Sequence, residues 1–293
     1  AFLSIFAPNF LTVYNVTTLL KSSSLTGIAA IGFTLIFILG ELDLSIGTVV
    51  MLCGMFAIGF QPELGWAGSI SCAVLAGAVI GLTNGLLVAK AGISSFIVTL
   101  GMMIILEGAM HLYSGGASVS IDTFALADWL ERPVIPLLPP QVLITFVLVG
   151  GFSFFLQRTP LGRGFFVVGG NPEMAWRAGL SRDWYIILGF VVCSITAAMG
   201  GAMFAATLSS MTGNAVLGTR TLITVLAAVI IGGTPLTGGK GSVMKSYFAV
   251  LILTTVFNGI GCFGLGFEVQ MFVNGLILAA VVLYEAYVEY RHN

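Results

Sequence analysis

The chain has 293 residues, 58% of them hydrophobic and 8% charged, with 38 glycines and a mean hydropathy of +1.07. A soluble domain carries about 25% charged residues, so this composition is that of an integral membrane protein. The net charge of −1 offers no basic field for nucleic acid, and leaves the placement of Lys and Arg among the connections as the useful electrostatic signal.

The first residues, AFLSIFAPNF, have no charged stretch before an apolar one and no cleavage site, so they do not read as a signal peptide. Apolar segments follow at about 25–40, 46–61, 66–89, 93–113, 141–157, 184–208, 221–233, 243–262 and 267–288. The predicted fold class is all-α: one polytopic transmembrane helical bundle over 1–293, with nine visible spans. Alternating the connections puts Lys90, Arg158, Arg163, Arg177, Arg182, Lys240, Lys245 and Arg291 on one side and only Lys21, Arg132 and Arg220 on the other. The positive-inside rule makes the first side cytoplasmic, with residues 158–183 and the C-terminus, and the second external, with residues 1–24, 114–140 and 209–220; the family resemblance given below makes that outer side the periplasm. A chain starting outside without a signal peptide implies a tenth span before Ala1, with FLSIFAPNF as its exit.

The first polar stretch inside the apolar run is GELDLSIGT, residues 40–48. A carboxylate near the bilayer centre costs roughly 2.5 to 3.5 kcal/mol on insertion scales, so Glu41, Asp43 and, further on, Glu107 are functional candidates. Either Asp43 or Ser45 caps the helix starting near Ile46, or the acids brace a cytoplasmic gate, with Lys240 of the loop GGTPLTGGKGS brought close to them. Segments of 16 residues rise about 24 Å against a hydrocarbon core of about 30 Å, so either this turn is sunk into the membrane or the helices extend beyond their apolar segments.

Asn84 follows, and a shift of 174 residues lays NGLLVAKAGISSFIVTLG on NGIGCFGLGFEVQMFVNG, matching Asn84 with Asn258 and Gly101 with Gly275. The first copy joins an inward-running span to its successor and the second an outward-running one, which predicts an inverted repeat. Asn84, Asn258 and Asn274 read first as interhelical hydrogen-bonding groups and second as path-lining amides. The candidates for the path or gate are thus Glu41, Asp43, Ser45, Asn84, Phe96, Asn258 and Asn274. Segment 114–140 predicts a short interfacial helix. In 158–183, a Gly169–Gly170–Asn171–Pro172 turn precedes EMAWRAGL: Asn171 caps, Pro172 takes the first helical position and Glu173 sits at the positive helix end. The cysteines Cys53, Cys72, Cys193 and Cys262 have no ligand-like spacing and read as packing residues.

GELDLSIGTVV, NGLLVAKAGISSFIVTLGMM, LGRGFFVVGGNPEMAWRAGL and AAVIIGGTPLTGGKGSV, in this order, resemble the membrane subunits of bacterial ABC importers for ribose, xylose, galactose and autoinducer-2 type sugars. The resemblance implies a permease in the inner membrane that is not an enzyme. It also implies a second permease subunit, identical or homologous, two cytoplasmic ATPases that hold ATP and Mg, and a periplasmic sugar-binding protein. No cofactor is expected on this chain, which has no GxxxxGK[ST] stretch. Glu173, Ala175 and Gly179 fall on the E-A-A-x-x-x-G pattern of importer coupling loops, Met174 departing from it. The resemblance makes Gly170, Asn171, Pro172, Glu173, Ala175, Arg177 and Gly179 the coupling element. The family is more distantly similar to permeases for branched-chain amino acids and nucleosides, and a proton-coupled secondary transporter using Glu41, Asp43 or Glu107 is the rival mechanism. A monosaccharide path should be neutral, lined by hydroxyl, amide and aromatic groups.

Overall fold

The computed structural model describes residues 10–135, 137–213 and 215–292, so the expected exit of a preceding span at FLSIFAPNF lies outside the described residues except for Phe10. Twelve helices are described: α1 Val13–Ile38, α2 Ile46–Gly59, α3 Gln61–Ala89, α4 Ser95–Ser114, α5 Ala125–Glu131, α6 Pro140–Arg158, α7 Pro160–Gly170, α8 Pro172–Arg177, α9 Arg182–Leu208, α10 Ala215–Ile231, α11 Val243–Cys262 and α12 Phe267–His292. Two short strands, β1 Val119–Ser120 and β2 Ser210–Met211, pair antiparallel.

The chain is a polytopic helical bundle. Seven of the described helices are long and apolar enough to cross a membrane, and two shorter apolar ones are α2 and Val216–Ile231 of α10. The first span is not short. It runs 26 residues, about 39 Å, because the polar run Lys21–Ser24 is absorbed into the helix: Ser23 and Ser24 donate to the Leu20 carbonyl and Lys21 reaches Glu131 at 3.0 Å. The depth argument for the 40–45 turn therefore rests on α2 alone, whose 14 residues rise about 21 Å.

The bundle is built around α1, α2 and α9. Residues 28–38 of α1 and nearly all of α2 are buried, and α9 packs against both through small residues. Gly201 lies against the Val50 carbonyl and Gly54 against the Gly201 carbonyl, as close approach in a membrane bundle requires. The two short helices enter from opposite ends and abut at their N-termini, where Gly47 of α2 lies on the Gly218 backbone of α10.

One end of the bundle collects residues 39–45, 90–94, 158–182 and 232–242, tied by Lys90–Asp183, Arg182–Glu41 and Gly239–Ile38 contacts. It carries most of the arginines. The other end holds β1, β2, α5 and the turn 263–266. The 84–101 and 258–275 segments are both helix–turn–helix and lie at opposite ends, with left-handed glycines at Gly92 and Gly264. The 174-residue shift pairs Gly92 with Gly266, so the turns differ by two residues.

Candidate functional site

At the arginine-rich end, three of the sequence motifs touch. α1 stops where Gly40 adopts φ 73°, with Gly40 N–H donating to the Phe37 carbonyl and Glu41 N–H to the Ile36 carbonyl. This is the Schellman arrangement that a left-handed glycine permits. The Gly239 N–H then donates to the Ile38 carbonyl at 2.8 Å. Gly169, from the last turn of α7, rests on the Ile38 carbonyl, and Gly238 (φ 80°) fits between Gly40 and the Gly169 carbonyl. A Cβ at either position would strike main-chain atoms, so the ends of α1 and α7 and the 235–242 loop form a seam with little slack.

The helix beyond that seam follows its sequence signals. Asn171 Oδ1 accepts from Met174 N–H at 3.0 Å, Pro172 opens α8, and Glu173 pairs with Arg177 at 2.7 Å. Ala175 is fully buried beneath it, while Met174 and Trp176 are 57% and 78% exposed. Gly179 (φ 74°) ends the helix, with Leu180 N–H returning to the Ala175 carbonyl. The alanine and glycine of the pattern thus have separate duties: one permits seating, the other termination.

Past the seam the chain turns back into the bundle, where Asp43, Ser45 and Asn84 are all fully buried. Asn84 Nδ2 donates to Ser45 Oγ (3.1 Å), which donates to Asp43 Oδ1 (2.6 Å); the same oxygen accepts Ser45 N–H (2.9 Å). Asp43 caps the entry to α2 in the Asx manner, while the Ser45 side chain caps nothing. Asp43 Oδ2 and Asn84 Oδ1 have no N–H or O–H partner among the described residues, and the Cys193 thiol lies beside the carboxylate. From α4, Ser95 Oγ accepts Leu42 N–H and Thr99 Oγ1 accepts Leu44 N–H. Glu41 does not meet Lys240, which is exposed; it pairs with Arg182 at 2.9 Å, its side chain 10% exposed. Arg182 opens α9 and comes from the connection carrying α8, so the closer cation is supplied by the next span rather than by the glycine loop.

At the opposite end, α1, α2, α9, α10, α11 and α12 line a cavity of about 600 Å³. Asn15 and Asn258 exchange hydrogen bonds at 2.8 and 2.9 Å on its wall. Arg220 donates to Gln270 Oε1 at 2.7 Å and lies 4.9 Å from the Phe267 ring centroid. Thr221 and Thr224 continue the polar stripe of α10, and one turn deeper Asn274 donates to Thr224 Oγ1 at 3.0 Å. Arg220 therefore lies inside α10 and not in an external loop, and the lining is polar but not neutral.

The candidates fall into two groups. Glu41, Asp43, Ser45 and Asn84 come together at the arginine-rich end, while Asn258 and, one turn away, Asn274 belong to the cavity end. Phe96, on the first turn of α4, is 51% exposed and lines neither place. Glu107 is half-buried on α4. The sequence reading missed Arg182, Ser95, Thr99 and Cys193 at the first place and Arg220, Gln270, Thr221 and Asn15 at the second. The threonines and Arg220 did carry a signal: 220, 221 and 224 share one helical face. The four cysteines are unbridged; Cys53 and Cys193 are buried, and Cys262 lines the cavity.

The family described as branched-chain amino acid transport system / permease component matches residues 15–282. The chain is 32% identical over 289 residues to the ribose import permease protein of Escherichia coli K12, covering 97% of this chain and 89% of that one. It is 32% identical over 300 residues to the L-arabinose ABC transporter permease protein of Azospirillum brasilense, covering 100% and 85%. It is 31% identical over 280 residues to the D-allose transport system permease protein of E. coli K12, covering 94% and 84%. No solved structure matches.

Proposed function

The chain belongs to the family of sugar ABC importer permeases, and from that premise we propose that it passes a monosaccharide, or a similarly small polar solute, inward by alternating access. The observation that carries this reading is the cavity of about 600 Å³, walled by amides, hydroxyls, aromatic rings and the Arg220 guanidinium, inside a largely apolar bundle. A sugar has hydroxyls to satisfy and C–H faces to stack, and this wall provides for both.

In this reading the chain sits in the bacterial inner membrane with the cavity facing the periplasm, where a sugar-binding protein delivers solute, and the arginine-rich end and C-terminus facing the cytoplasm. There the exposed Met174 and Trp176 of α8 enter a groove of a partner ATPase. Gly170 to Gly179 form the coupling element, and ATP and Mg stay with the ATPases. A second permease subunit, identical or homologous, completes the assembly. The glycine seam is the mechanical link: displacement of α7 and α8 presses on the ends of α1 and of the 235–242 loop. The turn bearing Glu41, Asp43 and Ser45 moves in consequence and acts as a cytoplasmic gate, with Asn84 holding it shut. The opposed helix–turn–helix segments at 84–101 and 258–275 support descent from an inverted repeat.

The test is uptake of radiolabelled D-ribose, L-arabinose and D-allose by vesicles containing the chain with its cognate ATPase and binding protein. Uptake that requires both partners and ATP is the expected result. Accumulation that follows a proton gradient and ignores ATP would overturn the mechanism. Deletion of 171–179 should abolish copurification of the ATPase, and an intact complex would sink the coupling assignment.

A further inference from the structure

Arg220 brings into the cavity a charge that has no ion-pair partner among the described residues. Its guanidinium gives one hydrogen bond to the neutral Gln270 and lies 5.7 and 4.9 Å from the ring centroids of Phe257 and Phe267. Rings hold a cation in place without cancelling its charge, and a guanidinium has five N–H donors. Among the described residues, no Asp or Glu lines the cavity. Glu131 pairs with Lys21, and Glu268, next to Phe267, is exposed over Gly266 and forms no ion pair with Arg220. The other polar groups on the wall, such as Asn15, Asn258, Thr221 and Thr254, are neutral.

We infer that this cavity is a charge-selective vestibule, in which Arg220 admits oxygen-rich solutes that are neutral or carry a carboxylate or phosphate and turns away solutes that carry an ammonium group. The inference rests on the cavity being part of the permeation path. Hydroxyl and anionic oxygens can accept the free N–H groups of Arg220. An ammonium group brought here meets the Arg220 charge and, among the described lining residues, only neutral amide and hydroxyl oxygens and ring faces to receive it. Selection of this kind works by an unfavourable contact as much as by a favourable one. At about 10 Å and an effective dielectric of about 20, one charge alters the local concentration of another roughly tenfold.

Cys262 lines the same cavity, its Sγ 3.8 Å from Asn258 Oδ1, and serves as a built-in reporter. In the full chain bearing Cys72→Ala, with Cys53 and Cys193 buried, Cys262 is labelled by methanethiosulfonates carrying either a sulfonate or a trimethylammonium group. After normalisation to a free thiol, the anionic reagent, enriched about tenfold, should react roughly a hundredfold faster than the cationic one, depleted about tenfold. Arg220→Gln should bring the ratio near one, and Arg220→Lys should keep it. Should Arg220→Gln fail to fold, the parent is compared at about 0.01 M and 1 M salt, where screening lengths are about 30 and 3 Å, and the ratio should collapse at high salt. Equal rates in the parent, a ratio indifferent to Arg220→Gln in a folded variant or to salt, or a Cys262 that neither reagent labels would overturn the inference. Labelling is independent of transport, so a failure of sugar uptake would sink the functional reading while leaving this result to stand alone.

Discussion

Asp43 and Arg220 are both ionisable residues within the bundle, and the protein treats them in opposite ways. Asp43 is sealed: it has no exposed surface, and its Oδ1 is held by Ser45, itself held by Asn84. Arg220 opens onto about 600 Å³ of space, held by one amide and two rings. A sealed group is gripped by its own neighbours and shifts only together with the turn that carries it. A charge left facing a cavity has donors to spare and is available to whatever enters.

The sharpest way to break this contrast is to remove both charges and compare stability. Asp43→Ala strips acceptors from Ser45 in a fully buried place and should cost about 3 kcal/mol, read as a lowered melting temperature in detergent. Arg220→Gln should leave the melting temperature nearly unchanged while altering selectivity. If the two variants melt alike, the division into sealed and open charge is wrong. Asp43→Asn, which keeps an acceptor for Ser45, should lose about a third of that stability.

Next in size is the seam. Gly238→Ala places a Cβ against Gly40 N and the Gly169 carbonyl at φ 80°, so strain and overpacking together should cost about 2 kcal/mol. If the seam transmits motion, transport should fall further than stability does. Gly101→Ala is the control, since a Cβ there meets nothing within 4 Å. Equal transport by both variants would detach the seam from coupling.

The local parts of both regions were legible in the sequence. Asn171, Pro172 and Glu173 announce α8 because capping is decided within three or four residues, and Gly179 marks its end for the same reason. The unpaired look of GELDLSIGT in an apolar run pointed to a buried polar turn. What was not legible was long-range pairing. Arg182 lies 141 residues from Glu41 and Arg220 lies 50 from Gln270, and no local rule selects those partners over Lys240. Hydropathy also misplaced the start of two helices for one physical reason: Lys21 and Arg220 were read as boundaries, whereas the first reaches Glu131 and the second faces a cavity. A cation inside a helix looks like the end of that helix until its partner is known.

Arg182→Ala sharpens the comparison further by testing an intermediate case. Glu41 is nearly buried but Arg182 is 48% exposed, so the pair is partly screened and should contribute about 1 kcal/mol or less. The loss should shrink in high salt. A loss as large as that of Asp43→Ala would mean that Glu41 belongs to the sealed cluster.

The smallest effect on stability is expected where the largest effect on assembly is proposed. Glu173 and Arg177 form an exposed i,i+4 pair, with side chains 72% and 65% accessible, and such a pair contributes only a few tenths of a kcal/mol to a helix. Glu173→Lys should therefore melt within error of the parent, because Asn171 still caps α8, Ala175 stays seated and Gly179 still ends it. Yet the substitution reverses a charge beside Met174 and Trp176, the apolar residues proposed to enter the ATPase, and it places a cation at the positive end of the helix. Copurification of the ATPase should fall sharply with the permease itself intact. Should the variant instead unfold, α8 is a structural clamp; should it keep its ATPase, the partner docks elsewhere. Either result removes the reason for joining the α8 surface, through the glycine seam, to the sealed turn at Asp43.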